Sequence, residues 1–167
     1  MKKAAFFGFA FVLSAPALFA QNFIQAPINI QSALFVKVLA FNKAISDGGD
    51  VKIHVIGAPD FAAELRGAIG MAIGSAKLTA VTEGPDLPAS KPSAIYLGEP
   101  SKLGKVLSYT KANRVLSMTG APDLVPKGVT LGIGVGDGKP KVLLNLTSSK
   151  EEGIDWNPAI LKVAATF

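Results

Sequence analysis

VKIHVIG, Val51 to Gly57, decides the reading of this chain. It is rich in β-branched residues and it alternates, with Val51, Ile53 and Val55 on one face of a strand. Upstream, SDGGD (Ser46 to Asp50) is a turn signal. Downstream, Pro59 and Asp60 suit the first turn of a helix, and DFAAELRGAIGM, Asp60 to Met71, reads as that helix. A strand that leads straight into a helix sets a pattern the rest of the chain repeats.

Working outward, Pro27 to Ile45 reads as a long helical segment. Leu34, Val38, Phe41 and Ile45 fall on one face, and Phe35 and Leu39 widen that stripe. Lys77 to Thr82 reads as a strand and EGPDLPASKP, Glu83 to Pro92, as a surface loop. SAIYLG from Ser93 is a buried strand, Ser101 to Ala112 a helix, and RVLSMTG from Arg114 the next strand. APDLVPKG is a connection with room for one helical turn. Val129 to Val135 and Lys141 to Leu146 form a hairpin across GDGKP, and the chain closes with a helical region from Ser148 to Phe167. Helix and strand alternate, so the expected fold class is α/β. It has a mostly parallel or mixed β-sheet flanked by helices on both faces, with a C-terminal hairpin and a closing helix.

The first residues read differently. Lys2 and Lys3 precede an uncharged run from Ala4 to Ala20 that is broken by Pro16 and ends in small residues. Charged start, short apolar run and small-residue end are the order of a secretory signal peptide, here residues 1–20. The alternative is an uncleaved anchor, but the run is short for a bilayer span of roughly 20 apolar residues, and the following QNFIQAPINIQ is polar-mixed. Residues 21–167 then make a single domain, long enough for a real core. Without Lys2 and Lys3 the formal net charge falls from +5 to +3. No Lys/Arg cluster longer than a pair remains, which argues against a nucleic-acid partner.

Chemistry is scarce. There is no cysteine, which removes thiol catalysis, disulfide exchange and cysteine metal sites. His54 is the single histidine, and one histidine makes a zinc site or a Ser-His-Asp triad hard to assemble. It lies mid-strand, where a structural histidine is the default. GIGVGDG, Gly132 to Gly138, contains a G-x-G pattern, but the next segment is a strand rather than a helix. That is a hairpin tip, not a pyrophosphate cradle. Ser148-x-x-Glu151 and Ser149-x-x-Glu152 match the capping box, and Asn157-Pro158 matches a helix start with Ile160, Leu161 and Ala164 facing inward. No catalytic constellation emerges, and neither a cofactor nor a tightly bound metal is expected. The candidate partner-binding residues are the aromatic and apolar side chains away from the core stripes: Phe23, Ile24, Tyr109 and Trp156. For each of them alone, covering the core is the simpler role.

The ending KVLLNLTSSKEEGIDWNPAILKVA resembles the close of the YfiR/HmsC-like periplasmic proteins. Asn145 and Leu146 stand at a strand end, Gly153 at a break, and Ile160, Leu161 and Ala164 in the final helix. ALFVKVLAFNKAI followed by VKIHVIG is similar to the family's opening. YLGE (Tyr96 to Glu99) falls at its central strand and Arg114 to Ser117 at the following one. Two features depart from the family: FNKAISDGG stands where a tryptophan-proline pair is common, and the cysteine pairs of several members are absent. The resemblance implies an exported α/β domain of the periplasm. It implies a regulator, not an enzyme, that binds the periplasmic part of a membrane-bound signalling protein. A diguanylate cyclase is the first candidate, with cyclic-di-GMP signalling and biofilm formation restrained. A homodimer stays open, and no binding residue transfers one by one. The other classes are a periplasmic small-molecule-binding module serving a transporter or sensor, and an enzyme; fold alone does not decide among them.

The signal reading is tested by mass spectrometry of the envelope fraction. Cleavage after Ala20 leaves Gln21 first, and cleavage after Ala17 leaves Leu18 first. Recovery of a membrane-embedded form that retains Met1 would refute it.

Overall fold

The computed structural model describes residues 22–167, so the signal segment and both cleavage positions lie outside the described residues. In chain order the regular elements begin with β1 (Ile24–Gln25), α1 (Ile28–Leu39), α2 (Lys43–Ser46), β2 (Gly49–Ile56), α3 (Pro59–Arg66), β3 (Ala72–Ile73) and β4 (Ala76–Gly84). They continue with β5 (Ala94–Leu97), α4 (Leu103–Asn113), β6 (Leu116–Thr119), β7 (Leu131–Gly136), β8 (Lys139–Leu144), α5 (Leu146–Glu151) and β9 (Ala164–Thr166). The strands form one sheet in the order β3-β4-β2-β5-β6-β7-β8-β9. β1 pairs with the part of β7 that runs beyond β6. β4, β2, β5, β6 and β7 are mutually parallel, as are β8 and β9, while β3, the β7–β8 hairpin and β1 pair antiparallel. This is the expected α/β class with a mostly parallel sheet.

Strand alternation sorts the core onto two faces. Val51, Ile53 and Val55 of β2, Ala94 and Tyr96 of β5, and Leu116 and Met118 of β6 join the larger cluster with residues of α1 and α3. Ile56, Ile95 and Leu97 face the other way, onto Val106 of α4. All four residues of β5 are buried, as parallel strands covered on both faces require. The larger cluster is organised by three rings. Phe61 stacks on Tyr96 at 3.8 Å, and Phe35 meets both edge-on, at 5.9 Å and 5.8 Å. The Tyr96 hydroxyl donates to Gln31 Oε1 (2.8 Å), and Gln31 Nε2 donates to the Ala26 carbonyl (2.7 Å). Burial pushes the Tyr96 phenol far above its ordinary range, so it stays a donor.

Three local expectations change. The segment from Pro27 to Ile45 is two helices, not one. Asn42 breaks it by capping α2, its side chain accepting from the Ala44 N–H (3.1 Å). The same residue pairs with Trp156 as an isolated β-bridge. Phe35, Val38, Leu39 and Ile45 are buried, whereas Leu34 and Phe41 are half-buried. The helix expected to reach Met71 stops at Arg66. The glycine-bearing stretch after it turns back to the sheet, and the Gly70 N–H donates to the Leu78 carbonyl (2.8 Å).

The third change is at the end of the chain, where no closing helix forms. Asn145, rather than either serine, caps α5, accepting from the Ser148 N–H (2.9 Å). Asn157 does cap and Pro158 does start a helical segment, but it is a 3₁₀ turn of five residues, Pro158–Lys162. At three residues per turn it presents only Ile160 to the core. Leu161, expected inside, is 52% exposed. Ala164–Thr166 then becomes β9 because the outer edge of β8 offers it a backbone partner.

These placements order the cost of substitutions. Ile160→Ala should lose about 2–5 kcal/mol in denaturant unfolding, Asn157→Ala about 1 kcal/mol, and Leu161→Ala no more than about 0.5 kcal/mol. A Leu161→Ala loss equal to that of Ile160→Ala would mean the last segment docks differently.

Candidate functional site

In open parallel sheets ligands bind outside the carboxyl ends of the strands, where successive connections leave in opposite directions. Here that point lies between β2 and β5, since β2 connects to β4 on one side while β5 connects to β6 on the other. The two strands stay close together past their ends. The Gly98 N–H donates to the Ile56 carbonyl (2.7 Å). A Cβ at Gly57 would collide with Glu99 Cβ, and one at Gly98 would collide with Ala58 and the Gly57 backbone. Only glycine permits this close approach of the two strand ends.

His54 lies on the α4 side of β2, and 6% of it is exposed. Its Nε2 donates to the Asp86 carbonyl (2.9 Å), so its Nδ1 accepts from the Thr82 hydroxyl (2.8 Å). Nδ1 thus ties β2 to Thr82 of β4 and Nε2 holds the loop after β4, a structural role for this side chain. Beside this loop Ile56, Leu87, Lys102, Lys105 and Val106 border a small cavity of about 200 Å³. Among the described residues no group of three or more His, Cys, Asp or Glu side chains could hold a metal ion. No helix among the described residues is long and apolar enough to cross a membrane.

The glycines of GIGVGDG are a packing platform. Gly132, Gly134 and Gly136 share one face of β7, and a Cβ on each would meet Val125, Pro122 and the Phe23 ring respectively. Asp137 and Gly138 make the hairpin turn with positive φ at both positions (53° and 70°).

The four candidate partner-binding residues do not form one patch. Phe23 is half-buried on the glycine face of β7, with its ring 6.5 Å from that of Phe167. Ile24, beside it in β1, is 66% exposed. Tyr109 packs against the smaller core cluster under α4. Trp156 packs against the larger cluster, donates from Nε1 to Ser149 Oγ (3.0 Å) and bridges Asn42. Tyr109 and Trp156 therefore belong to opposite faces of the sheet, and only Phe23 and Ile24 are together.

One buried ionisable residue escaped the sequence reading. Glu152, expected to reach back to a helix cap, instead points into the protein and is fully buried. Its Oε2 accepts from the Ser117 N–H (3.0 Å) and the Thr130 hydroxyl (2.7 Å). Its Oε1 is buried without a hydrogen-bond partner. Burial pushes the carboxyl up from its ordinary value, and the donors from Ser117, Thr110 and Thr130 offset part of this. The signal available in sequence was the pair Ser117 and Thr130, polar residues inside apolar strand runs that need a buried partner.

A carboxyl whose folded pKa lies above its unfolded value stabilises the fold most at low pH. That contribution fades as pH rises from about the unfolded value of 4.5 through the higher folded value. Glu152→Gln keeps an acceptor for Ser117 and Thr130 and removes the titration. The unfolding midpoint of the variant relative to wild type should therefore rise with pH above this point. A difference that is flat with pH would mean that Glu152 is not protonated by folding.

The model of the YfiR/HmsC-like family matches residues 29–165. No curated protein matches this chain in sequence. Two solved structures share its fold. One is the ABC domain from Streptococcus pneumoniae, solved in complex with L-Trp, at 15% identity and TM-score 0.53, covering 84% of this chain and 61% of that one. The other is a conserved domain protein from Vibrio cholerae O1 biovar eltor, at 15% identity and TM-score 0.58, covering 84% of this chain and 60% of that one. The present chain thus spans about three-fifths of the length of each solved chain, and at such identity the likeness is one of fold. The match over residues 29–165, across both the opening helix and the closing strand, establishes that the chain belongs to the YfiR/HmsC-like family.

Proposed function

We propose that this protein is a non-enzymatic regulator of the periplasm. It binds the periplasmic part of a membrane-bound signalling protein, with a diguanylate cyclase the first candidate. Binding restrains the cyclase and lowers cyclic-di-GMP signalling. Family membership over residues 29–165 carries the reading. Recognition then lies at the surface, where Phe23, Ile24, Tyr109 and Trp156 are the proposed anchors.

A second reading is a small-molecule-binding module serving a transporter or sensor. One observation favours it: a protein of the same fold was solved in complex with L-Trp. At 15% identity the likeness is one of fold and does not carry that ligand over.

Crosslinking in the envelope followed by purification separates the two readings. The regulator reading expects capture of a membrane-bound diguanylate cyclase, and a rise of cellular cyclic-di-GMP when the protein is deleted. With each variant checked for folding, Trp156→Ala or Tyr109→Ala should weaken capture if that residue touches the cyclase. Unchanged cyclic-di-GMP on deletion, together with a co-purifying small molecule and no protein partner, would replace the regulator by the solute binder.

A further inference from the structure

The sheet ends on β9, and among the described residues no strand pairs with its outer side. The Phe167 N–H donates to the Leu144 carbonyl (2.9 Å), and the Phe167 carbonyl accepts from Leu146 (3.2 Å). Backbone groups alternate sides along a strand, so Ala165 and Phe167 face β8, while Ala164 and Thr166 turn their N–H and C=O groups outward. Exposed edges are ordinarily blunted by proline, bulges, charges within the strand or a covering segment. The β9 residues Ala164, Ala165 and Thr166 carry neither proline nor charge. The opposite edge, β3, is only two residues long.

What borders this edge has a definite chemistry. Val163 is 52% and Phe167 45% exposed, and Phe23 stands edge-on to Phe167. Between Phe23 and the start of β9 lies a cavity of about 300 Å³, with Lys141 and Lys162 on its rim and Asp137 as its one acidic residue. Lys139 stands next in β8. Among the described residues the ion pairs of the protein leave Lys139, Lys141 and Lys162 without an acidic partner. An open backbone edge, exposed apolar side chains and the unpaired Lys141 and Lys162 are collected in one place, with Lys139 farther along β8 toward the hairpin tip.

We infer that β9 is a docking edge for an extended, acidic segment of a partner protein that alternates carboxylate and apolar side chains and adds to the sheet as a further strand. The outward groups of Ala164 and Thr166 supply the main-chain bonds. The cavity beside Phe23 receives one apolar side chain, and the lysines meet the carboxylates. The inference rests on the regulator reading for the kind of partner, and assigns where and how that partner is held.

The test uses the protein purified from the envelope and two capped eight-residue peptides, one alternating Glu and Val, the other Lys and Val. The Glu–Val peptide should protect the Ala164 and Thr166 amides from hydrogen exchange. It should bind at least about tenfold tighter than the Lys–Val peptide and weaken with added salt. Thr166→Pro removes an outward N–H without touching a β8 bond, and its ring blocks the edge. It should lower affinity at least about tenfold, while Thr166→Ala stays within about twofold of wild type. If Thr166→Pro does not fold, the double variant Lys141→Glu, Lys162→Glu should reverse the preference between the peptides. Equal binding of both peptides, protection elsewhere, or full affinity in a folded Thr166→Pro would overturn the inference. Self-association of wild type that Thr166→Pro abolishes would give the edge to a second copy and overturn it also. A crosslinked cyclase captured equally by Thr166→Pro refutes the edge and spares the regulator reading. Peptide binding as described, with no cyclase captured, does the reverse.

Discussion

The contact between Phe61 and Tyr96 governs much of the rest. Tyr96 sits in β5, which is buried on both faces, so its ring can leave the sheet only toward α1 and α3. At 3.8 Å from Phe61 the stack fixes how close α3 approaches, and Phe35 closes the remaining side from α1. The phenol cannot stay unpaired at that depth. It donates to Gln31, and Gln31 in turn holds the Ala26 carbonyl. This small network carries the position of the sheet centre out to the start of the described chain. Ala26 anchored there lets β1 reach β7 and lays Phe23 on the glycine face. Packed contacts thus run from the ring stack in the core to Phe23 on the glycine face.

Where one residue pattern dominated, the sequence was readable. VKIHVIG read as an alternating strand and SAIYLG as a buried one, as both proved, and the hairpin around Asp137 and Gly138 carried its own turn chemistry. The end of the chain was not readable in the same way, for a physical reason. A helix signal at Asn157-Pro158 is local, whereas the decision between helix and strand for Ala164–Thr166 depends on the free edge of β8, over twenty residues earlier in sequence. Local propensity is a weak prior against an unpaired backbone row. Glu152 was missed for the same kind of reason. Its partners Ser117 and Thr130 lie on other strands, and a capping box satisfies the same local spacing. The candidate surface residues were legible as apolar, but their grouping was not. Nothing in the sequence said that Tyr109 and Trp156 would lie on opposite faces, or that Phe23 would meet Phe167.

The two faces of the sheet are covered unequally. The face built from Leu131, Ile133, Val142 and Leu144 lies in the larger core with α1 and the 3₁₀ turn of Ile160. On the reverse face α4 covers β5 and β6, while β7 is roofed by Pro122, Val125 and Phe23 resting directly on glycines. Such a roof is one side chain thick, which suits the close approach that Gly132, Gly134 and Gly136 allow. It runs out at β8 and β9, where Val163 and Phe167 remain exposed. Uncovered apolar area at the end of a sheet costs solubility unless something limits it. Lys139, Lys141 and Lys162 are placed to do that, since cations along an edge repel a second identical edge.

The same lysines that discourage self-pairing favour an acidic strand, so solubility and selectivity come from one arrangement of charge. The close approach of Gly57 and Gly98 packs the central strand ends tightly. Backbone groups at the rim of the sheet are still unpaired. Among the described residues the rims are β1, β3 and the lysine-flanked β9, and β1 and β3, at two residues each, offer less main chain than β9. On the docking proposed, a partner strand is therefore held at the β9 end of the sheet.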